Sequence, residues 1–397
     1  MLLLPKSFIM TRYLTITFFI LLFTCLNITG QVSEESETQS GDLTLRIKNI
    51  NFVKDNEYFN DIRTSRFMLI SSLPAFVDKS LWIEGYTLVG FFFQPELVYS
   101  PSEKVTIRAG THFLKYAGLT KFSQIKPIFS ATLNLTEHTS LTIGSLSGSD
   151  RHQLFDPHFN SERLYSNYSE DGFQVTTSND HIFNDNWLSW ENFIIKGDST
   201  REIFTVGESF KYTSYPVADF LQFEVPVQLQ FKHFGGQISN FPEHVETYFN
   251  LATGVRVNID VADRRYGQAG IEYLQFINGE FPSKPISGIT HGYASWYRFH
   301  YTFKTIYFGL YYWKSHNFFA PNGNSLYGSV IDTRSKYVIP DRKIITNAIF
   351  VTLMPESYLG LYLGVESYYD VCLKRMDNSI TLHLNFDKLI KLATLKH

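Results

Sequence analysis

The sequence has 397 residues, of which 44% are hydrophobic and 16% aromatic, whereas only 18% carry a charge. The formal net charge is −3, and no basic run or recognition motif occurs, which excludes nucleic-acid binding as the function. Low charge with many aromatic residues is unusual for a soluble protein and is typical of a membrane barrel with aromatic girdles.

The chain begins with a segment that resembles a secretory leader. Lys6 and Arg12 supply positive charge before an apolar run, Tyr13–Ile28, that is shorter than the ~20 residues of a membrane helix. We therefore predict a signal peptide over residues 1–30 and a flexible periplasmic tail over residues 31–41. Since no later apolar run reaches spanning length, a membrane-embedded mature chain must form a closed barrel.

The clearest strand signal lies at residues 221–232. Every odd position there is apolar, and every even position except Pro226 is polar or charged. A strand projects successive side chains to opposite faces, so this pattern predicts one apolar face and one polar face. The segment is long enough to cross a bilayer at a tilt.

The same alternation, read together with turn signals, predicts sixteen strands. Short connections follow the even-numbered strands and long connections follow the odd-numbered ones, as in bacterial outer-membrane barrels. Two connections, 179–186 and 196–201, break this pattern. The predicted strands are 42–52, 84–99, 105–116, 125–136, 140–147, 172–178, 187–195, 202–213, 220–232, 247–259, 266–276, 291–303, 305–315, 342–353, 358–370 and 379–386.

The sequence thus predicts an all-β fold, a single transmembrane antiparallel β-barrel of about sixteen strands with long extracellular loops. The barrel is expected over residues 42–386, and a C-terminal periplasmic extension over residues 387–397. Lysines alternate with leucines in that extension, which permits a short helix.

Short motifs in the first half of the predicted barrel carry a resemblance to a known family. They are Asn56–Asn60, Gly85–Gly90, Gly144–Gly148, His152, Asp156–Pro157, Glu162–Arg163 and Glu170–Gly172. With these motifs the chain resembles a family of uncharacterised, porin-like outer-membrane barrels of Bacteroidota. The resemblance implies the barrel fold and the outer membrane of a Gram-negative cell, where we expect both termini to be periplasmic; it implies no chemistry.

The densest cluster of ionisable side chains lies in the third long loop, residues 148–171. In sixteen-stranded general porins, which this layout resembles, the third outer loop folds into the lumen and narrows the pore. Carboxylates on such a loop facing basic residues on the wall select solutes by charge. The candidate constriction residues are Asp150, Arg151, His152, Asp156, His158, Glu162 and Arg163.

Inward positions of the predicted strands supply candidate residues of the lumen wall. They are Arg108, His112, Glu224, Arg256, Glu272, Arg298, His300 and Glu366. The alternative is that these side chains form buried ion pairs that fill the lumen. A constriction and a plug both remain open at this point.

We therefore predict a porin-like channel for passive diffusion of small hydrophilic solutes, and not an enzyme. One alternative is a non-conducting barrel that serves surface binding or assembly. A less favoured one is a hydrolase at the barrel rim, because Asp150, His152, Asp156 and His158 are suitable residue types but no Gly-x-Ser-x-Gly or His-Glu-x-x-His motif supports them.

The expected partners follow from this location. They are outer-membrane lipid and lipopolysaccharide, the barrel-assembly machinery during insertion, and small hydrophilic solutes. A homo-oligomer is compatible with the resemblance to general porins, which are trimers. No cofactor and no metal are expected, since His152 and His158 alone do not complete a metal site.

Overall fold

The computed structural model describes residues 40–57, 86–146, 148, 152–217, 220–235, 245–262, 265–281, 290–332, 337–355 and 359–395. The predicted signal peptide, almost all of the predicted tail, and Asp150 and Arg151 of the predicted constriction lie outside these residues.

Sixteen antiparallel strands pair in chain order, and the last strand pairs with the first, so the sheet is a closed barrel. This confirms the predicted fold class. The strands are β1 (Asp42–Glu57), β2 (Tyr86–Ser102), β3 (Val105–Tyr116), β4 (Gln124–Asn134), β5 (Thr139–Ser145), β6 (Asp171–Ser178), β7 (Ile182–Asn192), β8 (Glu202–Thr213), β9 (Leu221–Gly235), β10 (Glu246–Asp260), β11 (Gln268–Glu280), β12 (His291–Phe303), β13 (Ile306–His316), β16 (Asp341–Pro355), β17 (Leu359–Asp370) and β18 (Arg375–Thr394).

The connection between β13 and β16 contains three further elements. These are a 3₁₀ turn (Ser325–Tyr327) and two short paired strands, β14 (Val330–Asp332) and β15 (Tyr337–Val338). One short helix, α1 (Arg163–Ser166), lies in the connection between β5 and β6. Among the described residues, no helix is long and apolar enough to cross a membrane.

The connections alternate in length around the whole barrel, which corrects the two predicted exceptions. Strand β7 begins at Ile182, so the predicted connection 179–186 is too long and its true extent is 179–181. The cause is a turn closed by Asn179, whose Oδ1 accepts the backbone N–H groups of His181 at 2.9 Å and Ile182 at 2.8 Å. The barrel therefore has a short-turn end and a long-loop end.

The predicted C-terminal boundary at Phe386 is also wrong, because β18 continues to Thr394. Its last residues pair with the start of β1, from Asn49 opposite Phe386 to Asp42 opposite Thr394. An ion pair of 2.7 Å between Arg46 and Asp387 crosses the same seam. The need to pair the N-terminal half of β1 thus overrides the helical spacing of the lysines and leucines.

Large apolar side chains project from the outer surface of the barrel. Examples on well-separated strands are Ile277, Leu310 and Ile349, which are 45%, 47% and 42% exposed. All strands pair laterally, and the outer face is apolar, as a barrel in hydrocarbon requires. The chain is therefore a membrane-spanning β-barrel.

The inner surface differs around the circumference. On β10 to β13 the inward positions build a buried aromatic cluster that includes Phe276, Trp296 and Trp313, against which Phe318 of the β13–β16 connection packs. On β4 to β7, Ile128 and Trp187 are buried, but most of the buried inward side chains are polar. They include Ser130, Thr142, Gln174, Asp185 and Ser189.

Candidate functional site

The connection 146–170 lies inside the barrel and touches the wall on several sides. Tyr168 stacks on Phe92 of β2, with ring centroids 4.9 Å apart, and the Tyr165 hydroxyl lies 3.1 Å from Nδ1 of His383 on β18. On another side, Gln228 of β9 accepts a hydrogen bond of 2.9 Å from the backbone N–H of Phe155. This connection therefore spans the lumen.

The connection 317–340 meets this loop within the barrel. The backbone N–H of Asn160 donates to the carbonyl of Asn322 at 2.7 Å, and the amide of Asn324 donates to Asp156 at 2.7 Å. Asn322 is itself buried and receives a hydrogen bond of 2.6 Å from Lys232 of β9. The two loops are thus bonded to each other and to the wall.

His152 makes polar contacts through both of its ring nitrogens. Its Nδ1 lies 2.8 Å from Asp185 of β7, and its Nε2 lies 2.7 Å from Glu170 near the end of the loop. The imidazole is fully buried and stacks on Trp187, with ring centroids 3.9 Å apart. Arg163 of α1 donates to the other oxygen of Glu170 at 3.3 Å.

The two carboxylates decide the charge of this imidazole. Burial by itself would lower the pKa of His152, but the hydrogen bonds and charges of Asp185 and Glu170 raise it to about 9. Burial likewise opposes ionisation of Glu170, yet His152 and Arg163 hold the pKa of that carboxyl below its usual value. His152 is therefore held as an imidazolium between the carboxyl groups of Asp185 and Glu170.

The barrel wall beside this trio is incomplete at the long-loop end. Strands β5 and β6 have 7 and 8 residues, whereas β4 and β7 each have 11. In the described ladder β5 pairs with β4 over Ser130–Asn134, and β6 pairs with β7 over Phe183–Ser189. Strands β5 and β6 pair with each other, and we call this pair the β5–β6 hairpin. Residues 124–129 and 190–192 thus extend past the hairpin with no strand between them. We call this gap the wall opening.

A cavity of about 440 Å³ lies at the wall opening. Glu170 lines it, together with Lys126 of β4 and Trp190 and Glu191 of β7. Lys126 donates to Oδ1 of Asn167 at 3.1 Å and to the carbonyl of Ser169 at 3.3 Å, and so ties the returning loop to the edge of β4. We call this space the wall cavity.

The wall cavity combines three chemical features that an acyl-transfer site needs. Glu170 offers an ionised carboxylate that can accept a proton, and the imidazole of His152 fixes its position. Lys126 offers a positive charge for a developing oxyanion. Phe129 and Trp190, which also line the cavity, offer apolar surface.

The described residues of the predicted constriction separate into two groups. His152, Glu162 and Arg163 lie near carboxylates or cations, with Glu162 at 4.0 Å from Lys54 of β1. Asp156 and His158 lie farther along the loop. Asp156 bonds to the second loop, and His158 is fully buried, with a pKa that burial lowers to about 4.

The predicted wall residues all lie on strands, and most of them form ion pairs or hydrogen bonds across the inner surface. Glu272 pairs with Arg256 at 2.8 Å and with Arg298 at 2.5 Å, and Arg256 also pairs with Glu224 at 2.8 Å. The other contacts are Arg108 with Glu96 at 3.6 Å, His112 with Gln94 at 3.0 Å, Glu366 with Lys54 at 3.6 Å, and His300 with the ring of Tyr307 at 5.8 Å.

Sequence reasoning missed Asp185 and Lys126. Asp185 was assigned to a connection, although Asp185, Trp187 and Ser189 follow the period of two that marks an inward face. Lys126 was treated as an ordinary strand residue. Among the described residues, no group of three or more His, Cys, Asp and Glu side chains is arranged to hold a metal ion.

Comparison with known proteins gives one family match and several likenesses of fold. A family model described as Lipid A 3'-O-deacylase-type matches residues 35–395. This match overturns the prediction that the chain is not an enzyme, because the family is named for a hydrolytic activity. A search of curated proteins finds no match to the chain.

Solved outer-membrane proteins resemble the chain at low identity. OprD from Pseudomonas aeruginosa is 9% identical, with a TM-score of 0.49, over 91% of this chain and 98% of that chain. A loop L8 deletion mutant of OmpT from Vibrio cholerae is 10% identical, with a TM-score of 0.49, over 87% of this chain and 100% of that chain. OccAB3 from Acinetobacter baumannii is 12% identical, with a TM-score of 0.46, over 88% and 100%.

Proposed function

The chain belongs to the lipid A 3'-O-deacylase-type family, and from this membership we propose that it is an outer-membrane hydrolase that removes an ester-linked acyl chain from lipid A. The observation that carries the proposal is the position of Glu170. Its carboxylate ends the Asp185–His152 chain and at the same time lines the wall cavity, where an ester could reach it. This proposal takes up the rim hydrolase that sequence reasoning ranked below a channel.

The proposed reaction uses water as the nucleophile. Glu170 accepts a proton from the water, the resulting hydroxide attacks the ester carbonyl, and the ammonium of Lys126 stabilises the oxyanion. The bond between the carbonyl carbon and the ester oxygen then breaks, and the leaving alkoxide takes the proton from Glu170. The products are a free fatty acid and lipid A with a free hydroxyl at the 3' position.

In this scheme His152 is a positioning residue. Both ring nitrogens of His152 are ion-paired, so the imidazolium has no nitrogen free to accept a proton from water. His152 therefore acts through Glu170, by fixing the orientation of that carboxylate. Asp185 in turn fixes the imidazole, and it also accepts hydrogen bonds of 3.0 Å from Gln174 of β6. The same arrangement anchors the loop to the wall.

Mass spectrometry of fatty acid released from lipid A by the purified, folded barrel tests this proposal. The wild type should release one acyl chain, and Glu170→Gln should lower the rate about 10²- to 10⁴-fold through loss of the general base. The matched control is Glu366→Gln, which alters a half-buried lumen carboxylate paired with Lys54 away from the wall cavity. Equal rates in the two variants would remove Glu170 from the mechanism.

Passive diffusion remains the second candidate, because sixteen strands enclose enough space for an aqueous channel. In the described chain, however, connections 146–170 and 317–340 both enter that space and bond to each other. We therefore rank the channel below the hydrolase. Single-channel recording in a planar lipid bilayer separates the two, since a hydrolase with a filled lumen gives no stepwise conductance.

A further inference from the structure

The sequence of β4 suits an edge that has no neighbouring strand at the wall opening. Residues two apart on a strand direct their N–H groups to the same side. The N–H of Phe129 points to the β5 side, where it bonds to Oγ of Ser145 at 3.2 Å. Pro127 therefore occupies the next position on that side, and it has no N–H to leave unsatisfied in hydrocarbon.

The size of the wall opening follows from the fold. Because the two strands between β4 and β7 end early, three strand spacings separate β4 from β7 above the hairpin, or about 14 Å. Residues 166–170 pass behind this gap and are held there by Gln124, which donates to the carbonyl of Ser166 at 2.7 Å, and by Lys126. The wall cavity lies at this gap.

The outer rim of the wall opening is largely apolar. Besides Asp171, the exposed side chains that surround it are large and apolar: Ile125 and Phe129 on β4, Ile143 and Phe173 on the hairpin, and Trp190 and Phe193 at the end of β7. The cavity behind them has polar and charged residues on its inner side. An occupant must therefore present an apolar end to the membrane and a polar end to the cavity, as a lipid does.

We propose that the wall opening is a lateral entrance through which an acyl chain of a membrane lipid passes between β4 and β7 to reach Glu170. This inference rests on the proposed function, because the ester of the same lipid is the bond to be cleaved. It adds the route. The substrate enters from the side of the membrane leaflet and does not descend through the lumen, which the two loops occupy.

Site-specific photo-cross-linking tests the entrance without depending on turnover. The photoreactive residue p-benzoylphenylalanine replaces Ser169, which is buried behind the wall opening, in the full-length barrel inserted into vesicles of phosphatidylethanolamine and lipid A. The matched control is the same replacement at Ser209, which is also buried but lies on β8 behind a continuous ladder. Phe173 on the outer face is the positive control.

We expect lipid adducts at positions 169 and 173 and none at 209. Adducts at 173 alone would overturn the entrance. If the Ser169 variant does not fold, as judged by its electrophoretic mobility with and without heating, Asn167 beside the same cavity takes its place. Cross-linking at 169 without release of fatty acid would keep the entrance and reject the hydrolase, whereas release without cross-linking would reject the entrance alone.

Discussion

Strands β4 to β7 and strands β10 to β13 form two arcs of the barrel wall that differ in strand pairing and in the side chains that they bury. Strands β10 to β12 have 13 to 15 residues, pair along nearly their whole length and carry a dry aromatic cluster inside. The hairpin β5–β6 has strands of 7 and 8 residues, leaves the wall open and faces buried polar groups. We call these the closed arc and the open arc.

This difference indicates which arc stabilises the fold and which arc holds the residues of the proposed reaction. Full ladders and buried aromatic rings stabilise the closed arc, whose inward charged residues Arg256, Glu272 and Arg298 form ion pairs with one another. The open arc gives up ladder pairs and holds instead the Asp185–His152–Glu170 chain, Lys126 and a cavity. A substitution in the closed arc should therefore affect unfolding, and one in the open arc should affect turnover.

The largest effect should come from truncating the aromatic cluster. Trp313→Ala removes a fully buried ring that contacts Phe276 and Phe318, and it should lower the free energy of unfolding by about 3 to 5 kcal/mol. Trp190→Ala, the matched change at the rim of the wall opening, should cost less than about 1 kcal/mol, since that ring is 39% exposed. Denaturant titration in detergent measures both. Equal losses would erase the distinction between the arcs.

The next largest difference between the arcs should be the free-energy cost of placing a charge on the outer face. Leu310→Arg places a cation at the middle of β13, near the bilayer midplane, and should cost about 2 to 4 kcal/mol. Ile125→Arg lies at the long-loop end of β4 beside the wall opening, where the cost should fall to about 0 to 1 kcal/mol. Unfolding from lipid vesicles gives the two values, and the reverse order would show that the barrel's depth in the bilayer is misassigned.

The positive charge in the wall cavity should have a smaller effect on the rate of fatty acid release. Lys126→Met should remove about 1.5 to 3 kcal/mol of transition-state stabilisation, which is about a tenfold to hundredfold drop in the rate of fatty acid release. Lys314→Met, an exposed position on β13 in the closed arc, is the control and should leave the rate unchanged. Equal rates of fatty acid release in the two variants would contradict the proposed role of Lys126.

The ion pairs of His152 should also make stability depend on pH. The pKa of His152 rises from an ordinary value near 6.5 to about 9 in the fold, so its stabilising contribution is complete below about pH 6.5 and is lost as pH rises through about 9. The wild type should therefore lose stability over that window relative to His152→Gln. Unfolding curves of both proteins at pH 6 and at pH 10 measure the difference, and parallel curves would contradict the assigned ion pairs.

The sequence predicted the barrel because alternation is a local property. Segments such as residues 221–232 display it without reference to any other part of the chain, and β9 indeed covers Leu221–Gly235. The two boundary errors had non-local causes or weak local signals. The turn at Asn179 depends on one side chain, and the end of β18 depends on pairing with β1, more than 300 residues away in sequence.

The site was predictable only in part for the same reason. His152 stood out as an ionisable residue in a polar loop, but its proposed function depends on Asp185, which comes from a strand, and on Glu170, which is buried and lines a cavity that forms only in the fold. Nothing in the local pattern states that 25 loop residues between β5 and β6 return into the lumen. The charged cluster therefore suggested a pore constriction before it could suggest a hydrolase.

The most direct test of the account is the mass of lipid A after incubation with the purified wild-type barrel in vesicles. We predict that lipid A loses the mass of one acyl chain and that the corresponding free fatty acid appears in equal amount. Lipid A of unchanged mass, together with stepwise conductance of the same preparation in a planar bilayer, would contradict the hydrolase and restore the channel.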